Sequence, residues 1–253
     1  LCWTYRSPAA AATGITEVWV AVSSGVVSPY PWWNSFAGQF NVSNSTVHWS
    51  SQVYQGGATW SYSVPAFGAQ LADGVNYTVF VYAKDRAGNT TGYDFNVGPG
   101  DTDLIPQPFK YDVSRPTSTV SVPVNGTKIN ALAAFSGQAV ETGVNPSGVS
   151  RVFMAVRHDS GGSAAIGWYN WATQAFDGAI SNPPSDPSPI FNNAWVQVAS
   201  TPVHGLTTLA WSTQVPVGML ESSATYRVVV AALDHATNLQ QGSAVAGTGA
   251  SFR

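Results

Sequence analysis

Catalysis needs nucleophiles, titratable pairs or metal ligands at workable spacings, and this sequence is poor in all three. Its four histidines, His48, His158, His204 and His235, each fall in a turn or polar segment. None makes an H-x-x-x-H or H-E-x-x-H spacing, and the single cysteine, Cys2, cannot complete a zinc set or an intrachain disulfide. Cys2 is read as a small buried hydrophobe. The chain has no G-x-S-x-G elbow and no phosphate-binding glycine loop. A glycosidase pair requires two carboxylates held across a sugar. The thirteen acidic residues lie mostly in turns, where carboxylates serve the backbone. The chain is expected to be no enzyme.

Two groups of residues remain as candidates for binding. Asp101 and Asp103, within Gly98-Pro99-Gly100-Asp101-Thr102-Asp103, combine carboxylates with turn carbonyls, which suits a hard cation such as calcium. No other cofactor is expected. The second group is aromatic. Trp32, Trp33, Trp168, Tyr169 and Trp171 fall in stretches without clear strand alternation, beside Asn and Gln. Flat rings with amide neighbours suit a sugar, whose apolar face stacks while amides bind its hydroxyls. They equally suit contact with another protein, including a further copy of this chain. They also suit a small core beneath long loops. By contrast Trp19, Trp60 and Trp211 lie in strand-like blocks and are expected in the core.

What positions these residues is an internal repeat. Residues 77–89 and 226–238 both obey Y-x-V-x-V-x-A-x-D-x-A-x-N, 149 positions apart. Trp60-Ser61 with Val64-Pro65 recurs as Trp211-Ser212 with Val215-Pro216. Trp32-Trp33-Asn34 recurs as Trp168-Tyr169-Asn170, and the block from Gly14 to Val22 recurs from Gly148 to Val156. The chain is a tandem duplication, with copies at 1–112 and 113–253. Alternating β-branched and aromatic residues predict strands at 17–23, 58–64, 76–84, 118–124, 151–157, 194–199, 208–215 and 225–233. The stretches 24–57 and 158–207 are expected to be elaborated loops or extra strands. Asp85 and Asp234, at matching hairpin positions, should accept backbone N–H bonds in their turns. Tyr77 and Tyr226, which open the V-x-V strands, are either half-buried aromatics or tyrosine corners that tie a hydroxyl to nearby backbone. Evenly spaced strands between Gly- and Pro-rich turns make this an all-β chain.

The strand Tyr77–Ala83 followed by Asp85-Arg86-Ala87-Gly88-Asn89 resembles the late hairpin of bacterial immunoglobulin-like domains. Asp112–Val120, with Pro116 inside it, resembles the linker and first strand of such repeats, and Pro123-Val124-Asn125-Gly126 their first turn. The resemblance implies two tandem Ig-like antiparallel β-sandwiches with elaborated aromatic-rich loops. It further implies a bacterial surface, adhesin or filament protein without shared catalytic residues.

Gly148 lies 33 residues after Arg115, yet Gly14 lies only 13 after Leu1, so copy one is expected to lack its first strand. A sandwich open in that way could accept a strand from a neighbour. Leu1 is no initiator, and the chain reads as an excised piece. Charge completes the picture. Charged residues make up 9% of the chain, against about 25% in a typical soluble domain. A net charge of −3 provides no basic footprint for nucleic acid, and no apolar run approaches the ~18 residues of a membrane span. The expected place is extracellular or at the cell surface. The expected partners are copies of itself or neighbouring repeats, with glycans as the alternative.

Overall fold

The computed structural model of the chain describes residues 3–6, 14–25, 30–44, 47–50, 59–64, 67–90, 106–179, 193–240 and 250–253. Among them are sixteen strands and one three-residue 3₁₀ turn, so the chain is all-β. It divides into two compact units, Leu1–Tyr111 and Asp112–Arg253.

The first unit holds β1 (Trp3–Arg6), β2 (Ile15–Ser24), β3 (Tyr30–Asn34), β4 (Gln39–Asn44), β5 (Thr59–Tyr62), β6 (Val75–Asp85) and β7 (Gln107–Tyr111). Five of these form an antiparallel sheet in the order β4-β3-β2-β6-β7, and β1 pairs with β5. The central pair is β2 with β6, which sets Val18 opposite Ala83, Val20 opposite Val81 and Val22 opposite Val79. Side chains alternate across a strand, so this register sorts residues onto two faces. Val18, Val20 and Val22 pack with Trp33, Tyr62, Phe67, Tyr77 and Val79 on the inner face. Ala21 packs on the outer face with Trp32, Val47, Phe80 and Tyr82. Both faces of the sheet are therefore apolar and covered.

The second unit holds β8 (Thr117–Val122), β9 (Ala134–Val140), β10 (Val149–Ser160), β11 (Gly167–Asn170), β12 (Ala175–Asp177), β13 (Val196–Ser200), β14 (Thr208–Gln214), β15 (Thr225–Asp234) and β16 (Ala250–Phe252). A larger sheet runs β12-β11-β10-β15-β16, with β13 also on β10; a smaller one runs β14-β9-β8. Between them lies a sandwich core. Phe135 and Ala139 of β9 and Trp211 of β14 meet Val152, Met154 and Val156 of β10 and Val228 and Val230 of β15. On the outer face of the larger sheet, Phe153, Ala155, Val229 and Ala231 are covered by Trp168, Ala194 and Trp195. Each large apolar side chain buried in this way contributes roughly 1.5–3 kcal/mol relative to exposure.

The two units repeat one another down to single hydrogen bonds. The Tyr77 hydroxyl accepts the Ala72 N–H at 2.8 Å, and the Tyr226 hydroxyl accepts the Glu221 N–H at 2.8 Å. These are tyrosine corners, and both rings are buried. Asp85 accepts the backbone and side-chain N–H groups of Asn89 at 2.8 and 2.9 Å. Asp234 does the same to Asn238 at 2.7 and 2.8 Å. The Gly14 carbonyl accepts from Arg86 and the Gly148 carbonyl from His235. The aspartates hold their hairpin turns, as their positions in the repeat led us to expect.

Where the copies diverge, strain is visible. Gly88, in the first hairpin, has φ of +88°, a conformation open to glycine at no steric cost. The matching residue of the second copy is Thr237, held at +71°. A β-branched residue there is costly. Thr237→Gly is expected to raise the unfolding free energy of the second unit by about 1 kcal/mol, read from urea denaturation. A destabilised variant would show that Thr237 is held by contacts worth more than its strain.

Two expectations need correction or completion. Of the loops or extra strands expected at 24–57 and 158–207, extra strands are present: the hairpins β3–β4 and β11–β12 and the strand β13. The spacing from Gly14 and Gly148 aligns β1 with the end of β9. Among the described residues β1 pairs with β5 only, and nothing occupies the place that β8 holds beside β9.

Candidate functional site

The aromatic candidates are for the most part closed to any partner. Trp32 and Trp33 are both 0% exposed, and Trp168 and Tyr169 only 4% and 3%. They stand on β3 and β11, not in loops, and neighbouring strand residues point to opposite faces. Trp33 and Tyr169 accordingly enter the inner cores, while Trp32 and Trp168 enter the outer ones. Only Trp171 keeps part of its ring at the surface, and its Nε1 donates to the Ala194 carbonyl at 3.0 Å. The expectation of a sugar-binding or subunit-contact set is therefore corrected for those four rings: they form the cores beneath the hairpins. The alternation was hidden because these strands are only five and four residues long. Asp101 and Asp103 lie outside the described residues.

Of the histidines, His204 and His235 lie in turns as expected, while His158 does not. His158 is fully buried in β10, with its ring nitrogens 3.1 Å from the carbonyls of Ala165 and Ser160. His204 and His235 stack at 4.1 Å. Burial, and next the His204 ring, hold His235 below the usual histidine range.

A cluster that the sequence did not point to lies at the start of the second unit. Asp112, Glu141 and Asp234 are 6%, 2% and 1% exposed, and one carboxylate oxygen of each lies within 4.8 Å of the others. Three elements bring them together. Asp112 opens the unit and is fixed by N–H bonds from Ser114 at 3.0 Å and Ser147 at 2.6 Å. Glu141 follows directly on β9, its own N–H bonded to the Thr207 carbonyl. Asp234 ends β15 in the clamped hairpin, and the Asn238 amide bonds the Asp112 carbonyl at 2.9 Å. Neither Glu141 oxygen has a hydrogen-bond partner.

The electrostatics follow from this crowding. The Glu141 carboxyl is pushed up to about 8, first by burial and then by Asp112 and Asp234, against a weaker pull from the Gly148 amide. Asp234 is raised by burial, which its bonds from Asn238 partly offset. Chemically the cluster can share protons or hold a cation. General acid–base work on a substrate would need access, and the three carboxylates are sealed. A cleft of about 590 Å³ lies elsewhere, along Ile129–Leu132 and Val215–Tyr226.

A pH dependence follows for the protein stripped of divalent cations. The folded Glu141 keeps a proton that the unfolded chain releases above its ordinary value of 4.5. That contribution is full below about pH 4.5 and is lost as pH rises through about 8. Thermal unfolding in chelator is expected at a lower temperature at pH 8.5 than at pH 6, with Glu141→Gln flattening the difference. Circular dichroism melts at the two pH values decide it, and a higher melting point at pH 8.5 would refute it.

No protein-family model matches the chain, and neither does any curated protein. Among solved structures, 99% of the chain aligns with 83% of a chain from the fibronectin(III)-like modules of CbhA from Clostridium thermocellum, at 11% identity and a TM-score of 0.38. The sandwich fold stands on the strand pairing and cores described above.

Proposed function

We propose that the chain is a non-catalytic structural region of an extracellular protein, serving spacing, self-assembly or adhesion as tandem β-sandwich units. The observation that carries this is what the duplication kept. The features repeated atom for atom are a tyrosine tie, an aspartate clamp and a glycine carbonyl, which all hold the frame. No binding surface is repeated in the same way among the described residues. Low charge supports the same role, since a chain that packs against its neighbours has less need of mutual repulsion than a free monomer. The open side of β1 is one place where a further strand could join.

Immunogold electron microscopy of the native material tests the reading. Label repeating along a filament, sheath or cell-surface array is the expected outcome, and label confined to soluble monomer overturns it. A carbohydrate-binding role is the second reading, kept alive by the half-exposed ring of Trp171. Titrating the chain with polysaccharides while following tryptophan fluorescence separates the two. Saturable quenching that disappears in Trp171→Ala would favour the glycan.

A further inference from the structure

We propose that Asp112, Glu141 and Asp234 hold a calcium ion inside the second unit. Their oxygens lie within 4.8 Å of one another, a spacing that fits ligands around a hard cation bound at roughly 2.3–2.6 Å. The donor set is oxygen only, without histidine or thiolate, which suits calcium over softer transition metals.

Three observations point to an ion rather than to a merely structural cluster. Both Glu141 oxygens are buried without a hydrogen-bond partner, and a carboxylate so placed is unfavourable unless it keeps a proton or meets a cation. No arginine or lysine compensates: among the described residues, Arg157 and Arg227 both pair with Asp159, and none of the three carboxylates forms an ion pair. The repeat supplies the third. Asp85 clamps its hairpin as Asp234 does, yet seven residues before Gly14 stands Ser7, where Glu141 stands seven before Gly148. The hairpin therefore folds without a glutamate at that position, and Glu141 has no part in the turn.

Asp112 and Asp234 are already positioned for the task. The N–H bonds from Ser114, Ser147 and Asn238 fix both carboxylates and leave each oxygen a further lone pair. The ion would take the place of the Glu141 proton and offset the charge of the three carboxylates in a site closed to water. It would also tie the first residue of the unit to the ends of β9 and β15.

The test uses the full chain, dialysed against EDTA and then returned to calcium or magnesium. Calorimetric titration with calcium should give one site per chain that is absent from Glu141→Gln. Thermal unfolding of the wild type should move up by about 5–10 °C when calcium is near a hundred times its dissociation constant. Magnesium should do less, because it demands a tighter octahedral shell and releases water reluctantly. In EDTA, Glu141→Gln should melt no lower than the wild type, since glutamine is neutral like the protonated glutamate and nearly preserves its shape. Asp101→Ala/Asp103→Ala should keep the whole calcium shift. The proposal is overturned if wild-type melting is the same in EDTA and calcium with no heat of binding. An undiminished calcium shift in Glu141→Gln, or a magnesium shift as large as that of calcium, overturns it equally.

Discussion

Trp33→Ala is expected to remove about 3–5 kcal/mol from the stability of the first unit, a large share of what holds it folded. The indole is 0% exposed and lies in edge contact with Phe40 and Phe67, at centroid distances of 5.3 and 4.9 Å. Its Nε1 donates to the Tyr62 hydroxyl at 3.2 Å, which links the larger sheet to β5. Truncating a buried tryptophan costs about 3–5 kcal/mol, because lost transfer energy and the remaining cavity add together. A domain of ordinary stability has only about 5–15 kcal/mol in total. The partly exposed Trp171 is the control, and Trp171→Ala should cost markedly less. Urea denaturation followed by circular dichroism measures both. If Trp33→Ala and Trp171→Ala shift the midpoint equally, the placement of Trp33 in the core is wrong.

The second large effect separates two glycines that the repeat makes equivalent. Gly14 and Gly148 have φ of +62° and +94°, both in the left-handed region that a side chain occupies at about 1–2 kcal/mol. Their surroundings differ. A Cβ on Gly14 would meet nothing within 4 Å, whereas one on Gly148 would come within 2.6 Å of the backbone nitrogens of Gly205 and Leu206. Those nitrogens cannot move freely, since the Gly205 N–H bonds the Ser147 carbonyl and the Leu206 carbonyl accepts from Val149. Gly14→Ala should therefore cost about 1–2 kcal/mol and Gly148→Ala about 2–5 kcal/mol, adding an overpacking penalty of about 1–3 kcal/mol. Equal losses in the two variants would remove the crowding at Gly148 from consideration.

Alternation makes all four long strands legible and some of the short ones, β5, β8, β13 and β14, as well. β2, β6, β10 and β15 run ten to twelve residues, and each was anticipated. The strands β1, β3, β4, β7, β9, β11, β12 and β16 lie outside the predicted ranges, since three to seven residues often carry too few alternations. For the aromatics of β3 and β11 the sequence leaves a small core, a subunit contact and a sugar site open together, and burial decides for the core. A Trp-Trp pair looks alike whether it lies in a loop or crosses a sheet with one ring on each face.

The candidate cation site was hidden for a different cause. Asp234 was legible as a hairpin aspartate through its match with Asp85, yet its companions are remote in sequence. Asp112 stands 29 residues before Glu141, and Glu141 stands 93 before Asp234. Nothing in the spacing of three acids so far apart suggests a cluster.

The duplication, the all-β class and the aspartate clamps follow from the amino-acid order alone, while the tyrosine ties stand there as one of two readings that the structure resolves. Each of these is local: alternation, turn chemistry and a motif repeated at fixed spacing act within about a dozen residues. Tertiary structure alone decided which face each tryptophan takes and which carboxylates meet. Those outcomes depend on β9, β10 and β15 coming together, with β10 and β15 paired between residues as far apart as Val149 and Asp234.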